Sequence, residues 1–307
     1  MKRNKIGGII FTIFIVVVIA VSIIQSNRGR VSVEEEVTTG KGSNISLIEL
    51  DGTIAGSSGL SGSGIISPKD VESLLNEAKK DSSSALIISI NSPGGSVEPT
   101  QEIYNSIERF KEKSGKKVYV WMKEVAASGG YYLSCGADKI VAMPTTLTGS
   151  IGVIMNLVNS EELLKKIGVS LYTIKSGKYK DMGSISRPLT NEERAIFQNI
   201  IDESYNQFLK VVSEGRNIPL DQLKNLAQGQ VFTGIKAKEV GLIDEVGDLE
   251  DTIALVKKDL NIKGEPKIIT HKKRVSFFSL LENVIPYTQL DLLKSLKPLT
   301  VEYMMVP

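Results

Sequence analysis

A serine hydroxyl becomes a useful nucleophile only beside a base that takes its proton and donors that hold the oxyanion it creates. Three stretches of this sequence offer such groups. Asn91-Ser-Pro-Gly-Gly-Ser96 comes after an apolar run, and its two glycines permit a tight turn with outward-facing N–H groups, from which an oxyanion hole can be built. Taken alone, it also reads as an ordinary Pro-Gly turn at a strand end. Val125-Ala-Ala-Ser-Gly-Gly-Tyr131 sets Ser128 among small residues at a strand-to-helix turn, where a nucleophile stays accessible. The same pattern suits a plain helix N-cap. Thr148-Gly-Ser150-Ile-Gly-Val153 holds a second serine in a glycine turn. Downstream, Gly177-Lys-Tyr-Lys-Asp181 supplies Lys178 and Lys180, which in isolation read as solvated charges.

Composition narrows the chemistry. His271 is the only histidine among 307 residues, so a histidine-based triad has one candidate and most metal sites are excluded. Cys135 is also alone, which rules out an internal disulfide and a cysteine-rich metal site. With 37 Lys and Arg against 35 Asp and Glu, the net charge of +2 gives no electrostatic case for nucleic-acid binding. No metal, nucleotide or organic cofactor is expected.

The elements that must position these groups can be read from patterning. Residues 6–24 are uncharged and mostly branched apolar; as a helix they span roughly 28 Å, about one hydrocarbon core. Lys2, Arg3 and Lys5 precede them, which orients residues 1–5 to the cytoplasm and the rest of the chain to the extracytoplasmic side of the cell membrane. Ile23-Ile24-Gln25 lacks a small-x-small cleavage site, so an uncleaved anchor is favoured over a signal peptide. Residues 25–44 read as a polar linker. From Ile45 to Leu50 the sequence alternates like a strand, and Ser67-Pro68 opens a helix with Val71, Leu74, Leu75 and Ala78 on one face. Ala85 to Ile90 is a continuous apolar run, as in a strand buried on both faces. A helix through Ile103, Ile107 and Phe110 precedes a strand at Lys117–Met122. A helix starts at Ser128, and Lys139–Ala142 is strand-like. A short helix begins at Ser160, a further strand is expected at Leu171–Ile174, and Thr190 with Glu193 forms a capping box for a helix to about Glu214. This alternation implies an α/β fold with a mainly parallel sheet. Residues 265–307 read as a tail too apolar to float free, packed on its own domain or a neighbouring subunit.

Taken together and in order, Asn91-Ser-Pro-Gly-Gly, Ala127-Ser-Gly-Gly-Tyr, Leu147-Thr-Gly-Ser-Ile-Gly-Val, Gly177-x-x-Lys-Asp, Val231-Phe-Thr-Gly234 and Gly241-Leu-Ile-Asp244 resemble the short, single-repeat bacterial form of signal peptide peptidase A. The resemblance covers roughly Ile45 to Leu260. It implies the crotonase/Clp-protease-like fold of repeated ββα units and a Ser–Lys peptidase domain over residues 45–264. By this resemblance Ser128 is the nucleophile, Lys180 the general base, Ser150 the hydroxyl that orients the lysine amine, and Gly95 and Gly129 the oxyanion-hole donors. It also implies a homo-oligomeric ring or dome near the membrane. Its substrates would be cleaved signal peptides and other apolar peptides.

Elementary chemistry sets one condition on this scheme. An exposed lysine amine is almost wholly protonated at neutral pH, so a lysine base must be sheltered from water and from carboxylates. The surroundings of Lys180 should therefore be apolar, and the carboxylate of adjacent Asp181 should point elsewhere. Lys178 as base, Ser150 as nucleophile and His271 as base are the competing assignments. Competing functions are a membrane protease for one specific protein partner, an acyl-CoA enzyme of the same fold, and a non-catalytic membrane scaffold.

Overall fold

A computed structural model describes residues 33–37, 43–56, 64–273 and 302–304. The anchor read at residues 6–24 lies outside the described residues, as does most of the tail. No described helix is long and apolar enough to cross a membrane.

The elements run β1 (Val33–Val37), β2 (Asn44–Asp51), β3 (Thr53–Ile54), β4 (Ile65–Ile66), α1 (Pro68–Lys80), β5 (Ser83–Ser92), β6 (Gly94–Ser96), α2 (Val97–Ser114), β7 (Lys117–Ala127), α3 (Gly129–Ser134), β8 (Lys139–Ala142), β9 (Leu147–Gly149), α4 (Glu161–Lys166), α5 (Asn191–Arg216), α6 (Leu220–Leu226), β10 (Val231–Thr233), α7 (Gly234–Glu239), β11 (Glu245–Val246), α8 (Leu249–Asp259), β12 (Lys267–Lys273) and β13 (Glu302–Met304). Local chemistry accounts for several boundaries. Ser67 Oγ accepts from Asp70 N–H at the start of α1, with Pro68 in its first turn. The Thr190–Glu193 capping box opens α5 as expected from sequence, and Asn217 in the left-handed region closes it.

Among the described residues nine strands form the main sheet, ordered β1-β12-β2-β5-β7-β8-β11, with β9 beside β7 and β10 beside β9. The pairs β12–β2, β2–β5, β5–β7, β7–β8, β7–β9 and β8–β11 are parallel. The apolar run of β5 is divided by strand alternation. Leu86, Ile88 and Ile90 join the larger core with α1, α2, α3 and α5, whereas Ala85 and Ile87 join Ile253 and Val256 of α8 in a second core. The sheet is thus covered on both faces, as a parallel sheet requires. A small second sheet, β13-β6-β3-β4, stands beside it.

One stretch differs from the sequence reading. Leu171–Ile174 forms no strand: the segment is irregular, and Leu171, Tyr172 and Ile174 are exposed. Its residue types suit a strand, but among the described residues it has no neighbouring strand to pair with. Residues 267–273, at the head of the stretch read as a tail, form β12, which pairs with β2 through registers such as Ile268↔Ile45. The sheet therefore continues past Gly264.

Candidate active site

The site is built where β7 changes neighbours. Strand β7 pairs with β8 from Tyr119 to Met122, then with β9 from Val125 to Ala127. Between these, its register with β5 slips, from Ile90↔Met122 to Ser92↔Ala126. Such bulges re-aim a strand end. Asn91 Oδ1 fastens the displaced segment by accepting from Val125 N–H at 3.2 Å.

Ala127 and Gly149 are partners across β7 and β9, so Ser128 and Ser150 are the next residues on two adjacent parallel strands. Both have positive φ, 52° and 50°. Ser128, with ψ −115°, occupies a conformation that L residues rarely adopt, at a sharp strand-to-helix turn. Its N–H donates to Gly149 O at 2.8 Å, and its carbonyl accepts from Tyr132 N–H at 2.8 Å. The hydroxyl is buried and has no hydrogen-bond partner among the described residues. Ser150 is buried too, with its N–H donating to Gln230 O at 2.8 Å.

Glycine is needed where the Asn91–Ser96 stretch crosses the start of α3. A Cβ on Gly129 would stand 3.2 Å from Gly94 Cα and 2.9 Å from Thr100 Oγ1, and one on Gly130 2.8 Å from Ser92 O. A Cβ on Gly95 would stand 2.0 Å from Ile54 O. Gly95 and Gly129 are therefore on touching segments beside Ser128. Strand β6, which carries Gly95, is flanked by β3 on one side and antiparallel β13 on the other, with Tyr303 opposite Gly95.

Lys180 is not brought to this cluster within the chain. It lies in residues 152–192, which contain no buried residue, and its own side chain is exposed. The apolar shelter expected around it is not formed by the single chain. The carboxylate of Asp181 is indeed held elsewhere, by Arg187 and Lys175. Of the competing bases, Lys178 is ion-paired with Glu192, which raises its pKa and keeps it protonated. His271 sits on β12, three strands from β7, bonded to Asp81 at 2.8 Å. Cys135 is buried, which pushes its thiol up to about 12 and leaves it inert.

Sequence reasoning missed the residues that frame the serines. Phe232 of β10 packs where a Cβ on Gly149 would fall, 2.6 Å away, and Thr148 Oγ1 donates to Ala126 O at 2.7 Å. Tyr131 OH donates to Leu242 O at 2.8 Å, and Asp244 Oδ2 accepts from Ile140 N–H and Arg216. The Val231–Gly234 and Gly241–Asp244 motifs are therefore braces of the site. Their spacing pointed to the family but not to this role.

A parallel sheet with a buried serine at the elbow after one strand and a glycine turn beside it fits a Clp-protease-like α/β fold. The sequence pattern of the Clp proteases matches residues 66–148, and that of peptidase family S49 matches residues 110–263. The chain belongs to peptidase family S49 and is of the signal peptide peptidase A type. It is 42% identical over 207 residues to a putative protease of Synechocystis, covering 67% of this chain and 71% of that one. To a putative protease of Methanocaldococcus jannaschii it is 39% identical over 199 residues, 64% and 63% of the two chains. To a putative signal peptide peptidase SppA of Enterococcus faecium it is 38% identical over 194 residues, 63% and 56% of the two. The matched region thus spans from just over half to about seven tenths of these relatives.

Proposed function

We propose that this chain is a membrane-anchored serine endopeptidase that degrades remnant signal peptides and other apolar peptides, using Ser128 as nucleophile and Lys180 as base. One observation carries the reading: a buried serine hydroxyl without a partner among the described residues, in a strained elbow, flanked by the backbone of Gly95 and Gly129. Ser128 Oγ attacks the scissile carbonyl while the neutral amine of Lys180 takes its proton. The N–H groups of Gly95 and Gly129 hold the oxyanion. The lysine then protonates the leaving amine, and water hydrolyses the acyl-serine. Ser150, beside Ser128, orients the amine. An extended substrate is expected to pair with β6 in place of segment 302–304, which lies antiparallel there.

In this proposal the lysine reaches a serine of a neighbouring copy. The exposed arm that carries Lys180 also exposes Leu163, Ile167, Leu171, Tyr172 and Ile174, an apolar surface that a second copy would cover. Docking there would also exclude water from the amine, the condition for a lysine base. Anchoring through residues 6–24, with the domain on the extracytoplasmic face, rests on the sequence pattern.

The full chain should cleave an apolar peptide, and a fluorophosphonate probe should label Ser128. Ser128→Ala and Lys180→Ala should each be folded and inactive, while co-assembly of the two should regain activity. Turnover by Ser128→Ala refutes the nucleophile, and undiminished turnover by Lys180→Ala refutes the base. Co-assembled variants that stay inactive refute the shared site.

A further inference from the structure

Arg187 is the hub of the arm that carries Lys180. On one side its Nε donates to Asp181 Oδ2 at 3.1 Å, and Nη2 to Asp181 Oδ1 at 2.8 Å and to the Asp181 carbonyl at 3.2 Å. On the other, Nη1 and Nη2 donate to Glu193 Oε2 and Oε1 at 2.9 and 2.5 Å, and Nη1 also reaches Pro188 O. Glu193 is not a loose surface partner. Its side chain is 3% exposed, and Oε2 also accepts from Thr190 N–H in the capping box of α5. Helix α5 is in turn fixed in the core by Phe208, Leu209 and Val212. A continuous line of contacts thus runs from core to α5, Glu193, Arg187 and Asp181, and ends at the peptide bond after Lys180.

The electrostatic effect runs the same way. Asp181 is the carboxylate nearest Lys180 in sequence, and an anion beside an amine favours its protonated form. Arg187, supported by Lys175 at 2.6 Å, engages both Asp181 oxygens and holds that carboxyl well below its ordinary range. The ion pairs of this arm join Lys175 and Arg187 to Asp181 and Lys178 to Glu192, and among the described residues none is made to Lys180. An isolated exposed ion pair would add little. A guanidinium shared in a fork between two carboxylates, one of them buried, fixes geometry that a single charge cannot.

We propose that Arg187 is a positioning residue for the peptidase reaction: it turns Asp181 away from Lys180 and ties the Lys180 loop to the head of α5. This rests on Lys180 being the base.

In the full chain, Arg187→Ala should lower kcat at neutral pH by roughly tenfold or more, with a smaller change in KM. The acid limb of its pH–rate profile should move to higher pH by about one unit, because Asp181, left with Lys175 as its remaining partner, can turn towards the amine and favour the protonated base. Adding Asp181→Asn to Arg187→Ala should return that limb towards its original position. Arg187→Lys, which keeps the charge and loses the fork, should fall in between. Should Arg187→Ala fail to fold, Arg187→Gln carries the same expectation. A folded Arg187 variant with unmoved kcat and pH profile overturns the proposal. So does a loss of kcat with an unmoved acid limb, which marks a merely structural arginine. Lys180→Ala separates the two levels: if it remains active, the base assignment falls, whereas if it is inactive and Arg187→Ala behaves as wild type, only the role of Arg187 falls.

Discussion

Ser128 and Ser150 each occupy a backbone conformation that costs on the order of 1–3 kcal/mol for a residue with a side chain. Their neighbours hold them there: Gly149 O takes the Ser128 N–H, Gln230 O takes the Ser150 N–H, and Phe232 lies against Gly149. Two hydroxyls on adjacent strand ends suit one to attack and the other to aim an amine. Removing the aiming hydroxyl should cost less than the roughly 10²–10⁴-fold worth of a positioned base. Ser150→Ala is therefore expected to lower kcat within that limit and leave KM nearly unchanged. Steady-state kinetics on an apolar peptide check this, and an unaltered kcat would remove Ser150 from the site.

At the scale of elements, the elbow at Ser128 depends on the docking of α3, a helix of six residues that cannot be stable alone. Its rings do much of the docking: Tyr131 is wholly buried, and Tyr132 packs against Tyr104 and Phe208 with centroids 5.4 and 5.0 Å apart. Helix α5 comes close enough that a Cβ on Gly215 would stand 2.4 Å from Cys135 O. In an unconstrained helix Gly→Ala stabilises by about 0.8–1.0 kcal/mol. Here the close approach should reverse the sign. Gly215→Ala is expected to destabilise by roughly 1–3 kcal/mol, visible as a lower Tm in a thermal melt. A raised Tm would show that α5 can move aside freely.

At the scale of the molecule, the sheet is tied at the ends of its strands away from the serines. Asp81 accepts from Ser46 of β2, Ser83 of β5, Lys116 just before β7, and His271 of β12, at 2.5–2.9 Å. Burial alone would raise its pKa, but these donors outweigh burial and hold it well below the usual carboxylate range. A depressed folded-state pKa contributes stability that is present above the unfolded value, near 3.8, and is lost as pH falls through the folded one. Breaking a buried pair costs roughly 3–5 kcal/mol. Asp81→Asn should approach the lower end of that range at pH 7 in denaturant titrations. The difference from wild type should shrink as pH falls below about 4. A constant difference across that window would rule out the charge as the cause.

Local patterns in the chain were enough for the alternation of elements, most helix starts and the family: the continuous apolar run of β5, the capping box at Thr190, the order of the glycine–serine motifs. Through the family resemblance they also singled out Ser128, Ser150, Gly95 and Gly129, which the fold gathers at touching strand and helix ends. Contacts between distant segments settled what local patterns cannot encode. Leu171–Ile174 has strand-like residues but pairs with no strand among the described residues, whereas residues 267–273, at the head of the stretch read as a tail, pair with β2. Lys180 has the right sequence context, yet within one chain it faces solvent. A motif fixes the residue type, whereas the water, partner or strand beside it is set by surfaces that meet only when the chain, or several chains, close together.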